Sequence, residues 1–132
     1  MRVIDGKGAV LGRLASYVAK QALKGEEFAI LNCEKVIITG NKNHIVEYFR
    51  AQRRRVGSTQ KGPKVSRTSD KVVKRVIRGM LPEHRWGRGR VALKRIRCYV
   101  GIPREFENSE KESFSDENKK KFHEVGKVVR IR

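Results

Sequence analysis

Hydrophobic residues are densest between 28 and 42, FAILNCEKVIITGNK, where Phe28-Ala29-Ile30-Leu31 and Val36-Ile37-Ile38 flank the polar gap Cys33-Glu34-Lys35. Short runs rich in β-branched residues and closed by a Thr39-Gly40-Asn41-Lys42 turn predict strands buried on both faces. The expected fold is a small α/β domain with these strands in its middle. Ahead of them, Arg2-Val3-Ile4-Asp5 predicts a short strand ending at Gly6. Leu11, Leu14, Ala15, Val18 and Ala22 then recur at helical spacing, with Gly25 as the stop. Together these give a β-α-β unit with a right-handed parallel crossover. The gap at Cys33-Glu34-Lys35 is too short for another such crossover, so the second run is either antiparallel to the first or its kinked continuation.

Downstream, a helix is predicted over 41–54 with Ile45, Val46 and Phe49 inward, followed by a Gly- and Pro-bearing loop over 57–66. A third helix, capped by Thr68 or Ser69, runs to about Leu81 and is stopped by Pro82. The connector HRWGRGR leads to a short amphipathic turn at 91–93 and to a last strand over 97–100, closed by Gly101-Ile102-Pro103. Residues 104–124 are polar and mixed in charge and are expected at the surface. Residues 125–132 turn apolar and basic again, as an extra strand or a docking tail. The division expected is a core over 1–103 carrying the basic segments, with a mixed-charge extension over 104–132.

Charge changes this picture most. The 132 residues suffice for one domain burying roughly two thirds of its unfolded surface, yet they carry a formal +18. Self-repulsion on that scale calls for a polyanionic partner. Nucleic acid is the first candidate and an anionic membrane surface the second. Against the membrane, no apolar stretch approaches the ~20 residues needed to span, and no N-terminal signal pattern is present. Cys33 and Cys98 are far apart in sequence, without CxxC or histidine spacing, so neither a disulfide framework nor a zinc site is expected, and a reducing, cytosolic setting is.

The excess is focused. Between residues 50 and 97 stand 17 Lys or Arg against Asp70 and Glu83, a net +15. On the third helix Val72, Val73, Val76, Ile77 and Met80 line one side, and Lys71, Lys74, Arg75 and Arg78 line the other without acidic neighbours. The bias continues through Arg53, Arg54, Arg55, Lys61, Lys64, Arg67, Arg85, Arg88, Arg90, Lys94, Arg95 and Arg97. A solvated basic face would explain one helix; it does not explain the whole stretch. Gly57, Gly62, Gly87 and Gly89 let backbone approach phosphates, and arginine supplies forked donors. Trp86, between Arg85 and Arg88, either stacks on an unpaired base or packs against the helix ends. Lys42 adds a cation at a helix N-terminus, where backbone N–H groups favour an anion.

Other motifs offer less. GKGAVLG, from Gly6 to Gly12, follows a strand and opens a helix, with Glu34 past the next strand. This imitates a dinucleotide fingerprint, but the spacing is GxGxxxG and the chain is too small for the usual second half. The TGNK turn lacks phosphate-loop spacing. His44, His84 and His123 are isolated from nucleophiles and paired acids, and the acids concentrate at 105–117 as solvating charge. No enzyme and no cofactor are expected, and no small-molecule substrate.

Three stretches carry a resemblance: Leu11-Gly12-Arg13-Leu14-Ala15-Ser16, then LNCEKVIITGNK, then Val76-Ile77-Arg78-Gly79-Met80-Leu81-Pro82. Together they resemble the ribosomal protein L-thirteen family of the large subunit. Arg88-Gly89-Arg90, Ala92-Leu93, residues 95–100 and Gly101-Ile102-Pro103 look like its archaeal and eukaryotic branch. The match runs over about 2–104; the short N-terminus and the tail after Pro103 depart from it. The resemblance implies a three-layer α/β/α fold around a small, mainly parallel sheet. It further implies a structural, assembly-supporting role in translation on large-subunit (23S-type) rRNA, with neighbouring large-subunit ribosomal proteins as partners, in the cytoplasm. By motif position it implies RNA contact at Lys42, Arg53, Arg54, Arg55, Arg75, Arg78, Arg85, Arg88 and Arg90, and makes GKGAVLG a tight turn with close helix packing. The alternatives are an RNA-binding regulator acting outside the ribosome, or a nucleotide-dependent enzyme using the Gly6 to Gly12 turn.

Overall fold

In chain order the elements of the computed structural model are β1 (Arg2–Asp5), α1 (Leu11–Lys24), β2 (Phe28–Leu31), β3 (Ile37–Thr39), α2 (Lys42–Arg54), α3 (Ser69–Met80), α4 (Gly87–Lys94), β4 (Ile96–Cys98), β5 (Glu112–Ser113), β6 (Phe122–Glu124) and α5 (Val125–Val129). Residues 1–115 and 121–131 are described; 116–120 of the mixed-charge extension, and Arg132, lie outside them. The central sheet has the order β4-β2-β1-β5, and each neighbouring pair is parallel.

Strand β2 is buried at all four positions because it has a strand on each edge and cover on each face. The pleat divides the sheet's side chains. Ile4, Phe28, Ile30 and Ile96 meet the apolar sides of α1, α3 and α4 in the main core, while Val3, Ala29 and Leu31 pack beneath Tyr99 and Phe106. Those two aromatics come from the segment after β4, which includes a 3-10 turn at Arg104–Phe106. The result is one α/β domain around a small, mainly parallel sheet, as expected.

Helix α1 buries Leu11, Leu14, Ala15, Val18, Ala19 and Ala22. It ends where Gly25 takes a left-handed φ of 112°, so that the Gly25 N–H reaches the Ala22 carbonyl and the Glu26 N–H that of Gln21. This paired closure satisfies two carbonyls the helix would leave open. Helix α2 is capped by Asn41, whose Oδ1 accepts from the Asn43 N–H at 3.1 Å. The N-cap of α3 is Thr68 without a side-chain bond to the helix; its hydroxyl lies 2.9 Å from that of Ser66 instead.

Four expectations change. The run at 36–38 does not join the central sheet and is neither antiparallel to β2 nor its continuation. Asn32, at φ 52° with its Nδ2 donating to Asp5 Oδ1, leads into a 3-10 turn at Cys33–Lys35 that swings the chain aside. There β3 pairs antiparallel with β6, Ile37 opposite Glu124, and of its residues only Ile37 is buried. The last four residues of the HRWGRGR connector are the first turn of α4 rather than a loop.

The strand over 97–100 is also not the last. Beyond it β5 joins the sheet edge beside β1, and α5 buries Val125, Val128 and Val129. Of the two alternatives for 125–132, docking is the one realised, as a short helix. Finally, Cys33 and Cys98 are close in space. Cys98 pairs in register with Ile30, whose carbonyl lies 3.6 Å from the Cys33 thiol. The neighbouring Cys98 and then burial push the Cys33 thiol up; both thiols are free.

Candidate nucleic-acid interface

The two edges of the sheet have different chemistry. At the β5 edge charges are spent on one another: Arg2 donates to both oxygens of Glu112 at 2.8 and 2.7 Å, to Glu26 at 2.7 Å and to the Tyr17 hydroxyl at 2.7 Å. Its guanidinium also lies over the Tyr17 and Phe28 rings, 5.6 and 5.5 Å from their centroids. These bonds hold the Glu112 carboxyl below its usual range and the Arg2 guanidinium above its own.

Most other cations lie on α3 and α4, which pack against β4, and on α2 and the loops between these helices. On α3, Val72, Val73 and Ile77 are buried and Val76 partly so, but Met80 is exposed instead of closing the apolar side. Lys71, Lys74, Arg75 and Arg78 line a cleft of about 280 Å³ together with Lys64, Ser66 and Leu93. Lys74 is partly committed, its Nζ donating to the Ile96 carbonyl at 2.8 Å and tying α3 to β4. Among the described residues no carboxylate pairs with Lys71, Arg75 or Arg78.

A second group forms where α2 ends. Arg50, Arg53, Arg54 and Arg67 surround a hollow of about 400 Å³, continued by another that adds Arg55, Lys64 and the loop at 62–65. Arg53 turns inward and donates to the carbonyls of Val129 and Ile131. Burial, and then the charge of Arg67, lower its pKa. Like charges crowded this closely favour a bound anion. Lys61 is exposed on the same loop.

The third group follows α4. Arg85, Arg88, Arg90 and Lys94 are exposed, as is Arg97 on β4, whereas Arg95 is half-buried and donates to the Ala22 carbonyl at 3.3 Å. Trp86 is 59% exposed, with its Nε1 donating to Glu83 at 2.6 Å. The ring is therefore largely open to solvent rather than packed against the helix ends. Lys42 stands apart from these groups, beside Lys121 and Phe122.

Sequence reasoning did not single out Arg50 or Lys121. Arg50 lies one helical turn from Arg53 and Arg54, which was a usable signal. Lys121 reaches Lys42 only through the β3–β6 pairing, which has no local signature.

The Gly6 to Gly12 turn is closed to a pyrophosphate. The N–H groups that would cradle one are used internally: Gly6 to Leu31, Lys7 to Asp5, Gly8 to Lys35 and Ala9 to Gly6. Gly6 is required because a Cβ would meet the Leu31 carbonyl and the Val36 side chain at 2.8 Å. The turn is tight, and its close packing is against the chain leaving β2 rather than against a helix.

A family model described as ribosomal protein L13 matches residues 1–105. The chain belongs to the ribosomal protein L13 family. Relatives named "Large ribosomal subunit protein uL13" extend the match beyond that core. The one from Methanosarcina barkeri is 44% identical over 134 residues, covering 97% of this chain and 94% of its own. That from Methanocaldococcus jannaschii is 47% identical over 114 residues, covering 84% and 82%. A third, from Thermoplasma acidophilum, is 45% identical over 112 residues, covering 85% and 81%. These ribosomal protein L13 relatives are archaeal, in agreement with the branch that the later motifs resemble.

Proposed function

We propose that this chain holds large-subunit rRNA by presenting uncompensated cations on a prefolded α/β scaffold. As a member of a family of structural ribosomal proteins, it is a constituent of the large ribosomal subunit, acts in translation in the cytoplasm, and is not an enzyme. Its partners are accordingly ribosomal, and no helix among the described residues is long and apolar enough to cross a membrane. In this reading the RNA contacts fall within 1–103, on Lys42, Arg54, Arg55, Lys61, Lys64, Arg67, Lys71, Arg75, Arg78, Arg85, Trp86, Arg88, Arg90, Lys94 and Arg97. Arg53, Lys74 and Arg95 support them by fastening elements together. The described parts of the extension over 104–132 brace this scaffold.

The observation carrying the proposal is the α3 cleft. Lys71, Arg75 and Arg78 share it with no acid, on a helix whose other side is locked into the core. The test is the double variant Arg75→Glu/Arg78→Glu, titrated with large-subunit rRNA at several salt concentrations. Affinity is expected to fall and the slope of log affinity against log salt to flatten by about 1.4–1.8, at 0.7–0.9 per phosphate. The melting curve should show a folded domain. A folded variant with the parental affinity and slope would sink the assignment.

A further inference from the structure

A cavity of about 370 Å³ opens between α2 and α3, walled by Phe49 and Val76, with Tyr48, Gln52 and Arg75 at its polar margin and Gly79 at one side. We infer that this cavity receives one unpaired nucleobase of an RNA strand whose phosphates follow the adjoining α3 cleft. The inference rests on the RNA-binding reading above.

Arg75 carries the argument, because it lines both this cavity and the cationic cleft beside it. An apolar group entering here must arrive attached to something that tolerates Arg75, Lys71 and Arg78. An apolar side chain from a basic protein surface would be repelled. A base joined to a phosphate backbone matches both halves of the site, the apolar hollow for the ring and the cations for the phosphates.

The margin suits a planar polar-edged guest. Tyr48 is 55% exposed, and its hydroxyl accepts from Gln52 Nε2 at 2.7 Å, leaving the phenol proton free to donate. The Tyr48 and Phe49 rings stand nearly perpendicular, at 78° with centroids 5.7 Å apart, so they present a face and an edge. Gly79 keeps one side open: a Cβ there would meet no atom within 4 Å.

The open space at Gly79 provides the experiment. Gly79→Leu fills the cavity without removing a cation, and Tyr48→Ala removes the aromatic ring at its margin, an exposed position. The full-length parent and both variants are titrated with a short oligoadenylate and, as a polyanion without bases, with inorganic polyphosphate. Each variant is expected to bind oligoadenylate about tenfold more weakly, the worth of one stacked base, with its salt slope and polyphosphate affinity unchanged. Parental oligoadenylate affinity in both variants would overturn the cavity assignment while leaving RNA binding intact, as would equal losses for the two polyanions. A parent that binds no oligoadenylate would overturn the RNA reading and the cavity with it. Weakened retention of Gly79→Leu on large subunits, with RNA affinity intact, would give the cavity to a protein side chain and likewise overturn the inference. Should Gly79→Leu fail to fold, Tyr48→Ala alone decides.

Discussion

Arg53, Arg54 and Arg55 look equivalent in sequence, yet they do different work. The Arg53 guanidinium donates to the carbonyl of Val129, which the end of α5 leaves without a helical partner, and to that of Ile131 just beyond the helix. Arg54 and Arg55 project outward. Nothing local distinguishes them, since the acceptors of Arg53 lie more than seventy residues later. The same blindness applied to Lys74 and Arg95, both read as cations for RNA and both bonded to backbone carbonyls. Arg53→Ala should therefore lower stability by about 1–2 kcal/mol, the worth of charge-assisted bonds. Arg54→Ala and Arg55→Ala should stay within about 0.5 kcal/mol, as exposed positions do, and weaken RNA binding instead. Thermal melts of the three single variants decide; equal melting temperatures would mean that Arg53 does not secure α5.

For whole elements, legibility followed amphipathic period. Helices α1, α2 and α3 were readable because their apolar positions recur at helical spacing, and β2 because its run is uninterrupted. Strand β3 was misplaced because a buried Ile37 looks the same in a central strand and in a two-stranded flap. Helix α4 was shortened because GRGR reads as linker. In sequence its glycines read as openings toward phosphate, but Gly89 is buried and a Cβ there would overlap the Pro82 carbonyl oxygen. The glycine serves the corner between α3 and α4. Gly89→Ala should thus destabilise by about 1–3 kcal/mol through overpacking, despite its better helix propensity. Gly12→Ala is the control of opposite sign: it is helical and exposed, with nothing within 4 Å of its Cβ. That change should stabilise by about 0.5–1 kcal/mol. Denaturant midpoints moving in the same direction for both would refute the packing account.

At the scale of the molecule, charge was the most legible property and closure the least. Composition alone exposed the net +15 between residues 50 and 97, whereas the apolar turn after residue 124 left a strand and a docked tail as alternatives for Val125 and Val129, and no local pattern announced that Glu112 would bind Arg2 across the sheet edge. Those closures let the fold tolerate its charge, because Glu26 and Glu112 pair with Arg2 at the β5 edge while, among the described residues, no carboxylate pairs with the cations on α3. The arrangement demands two opposite responses to salt. In the free protein, self-repulsion among the cations opposes the compact state, and shortening the Debye length from about 30 Å at 0.01 M to 8 Å at 0.15 M weakens it. The melting temperature should therefore rise over that interval. With large-subunit rRNA the same cations are neutralised by phosphates at the cost of displaced counterions, so affinity should fall as salt rises. The charge-reversed Arg75→Glu/Arg78→Glu chain should show a shallower dependence in both measurements, since two sources of repulsion and two phosphate contacts vanish together. A parent whose melting temperature is flat or falls with salt would mean that its cations are already compensated within the fold, and the scaffold would then have no electrostatic reason to seek RNA.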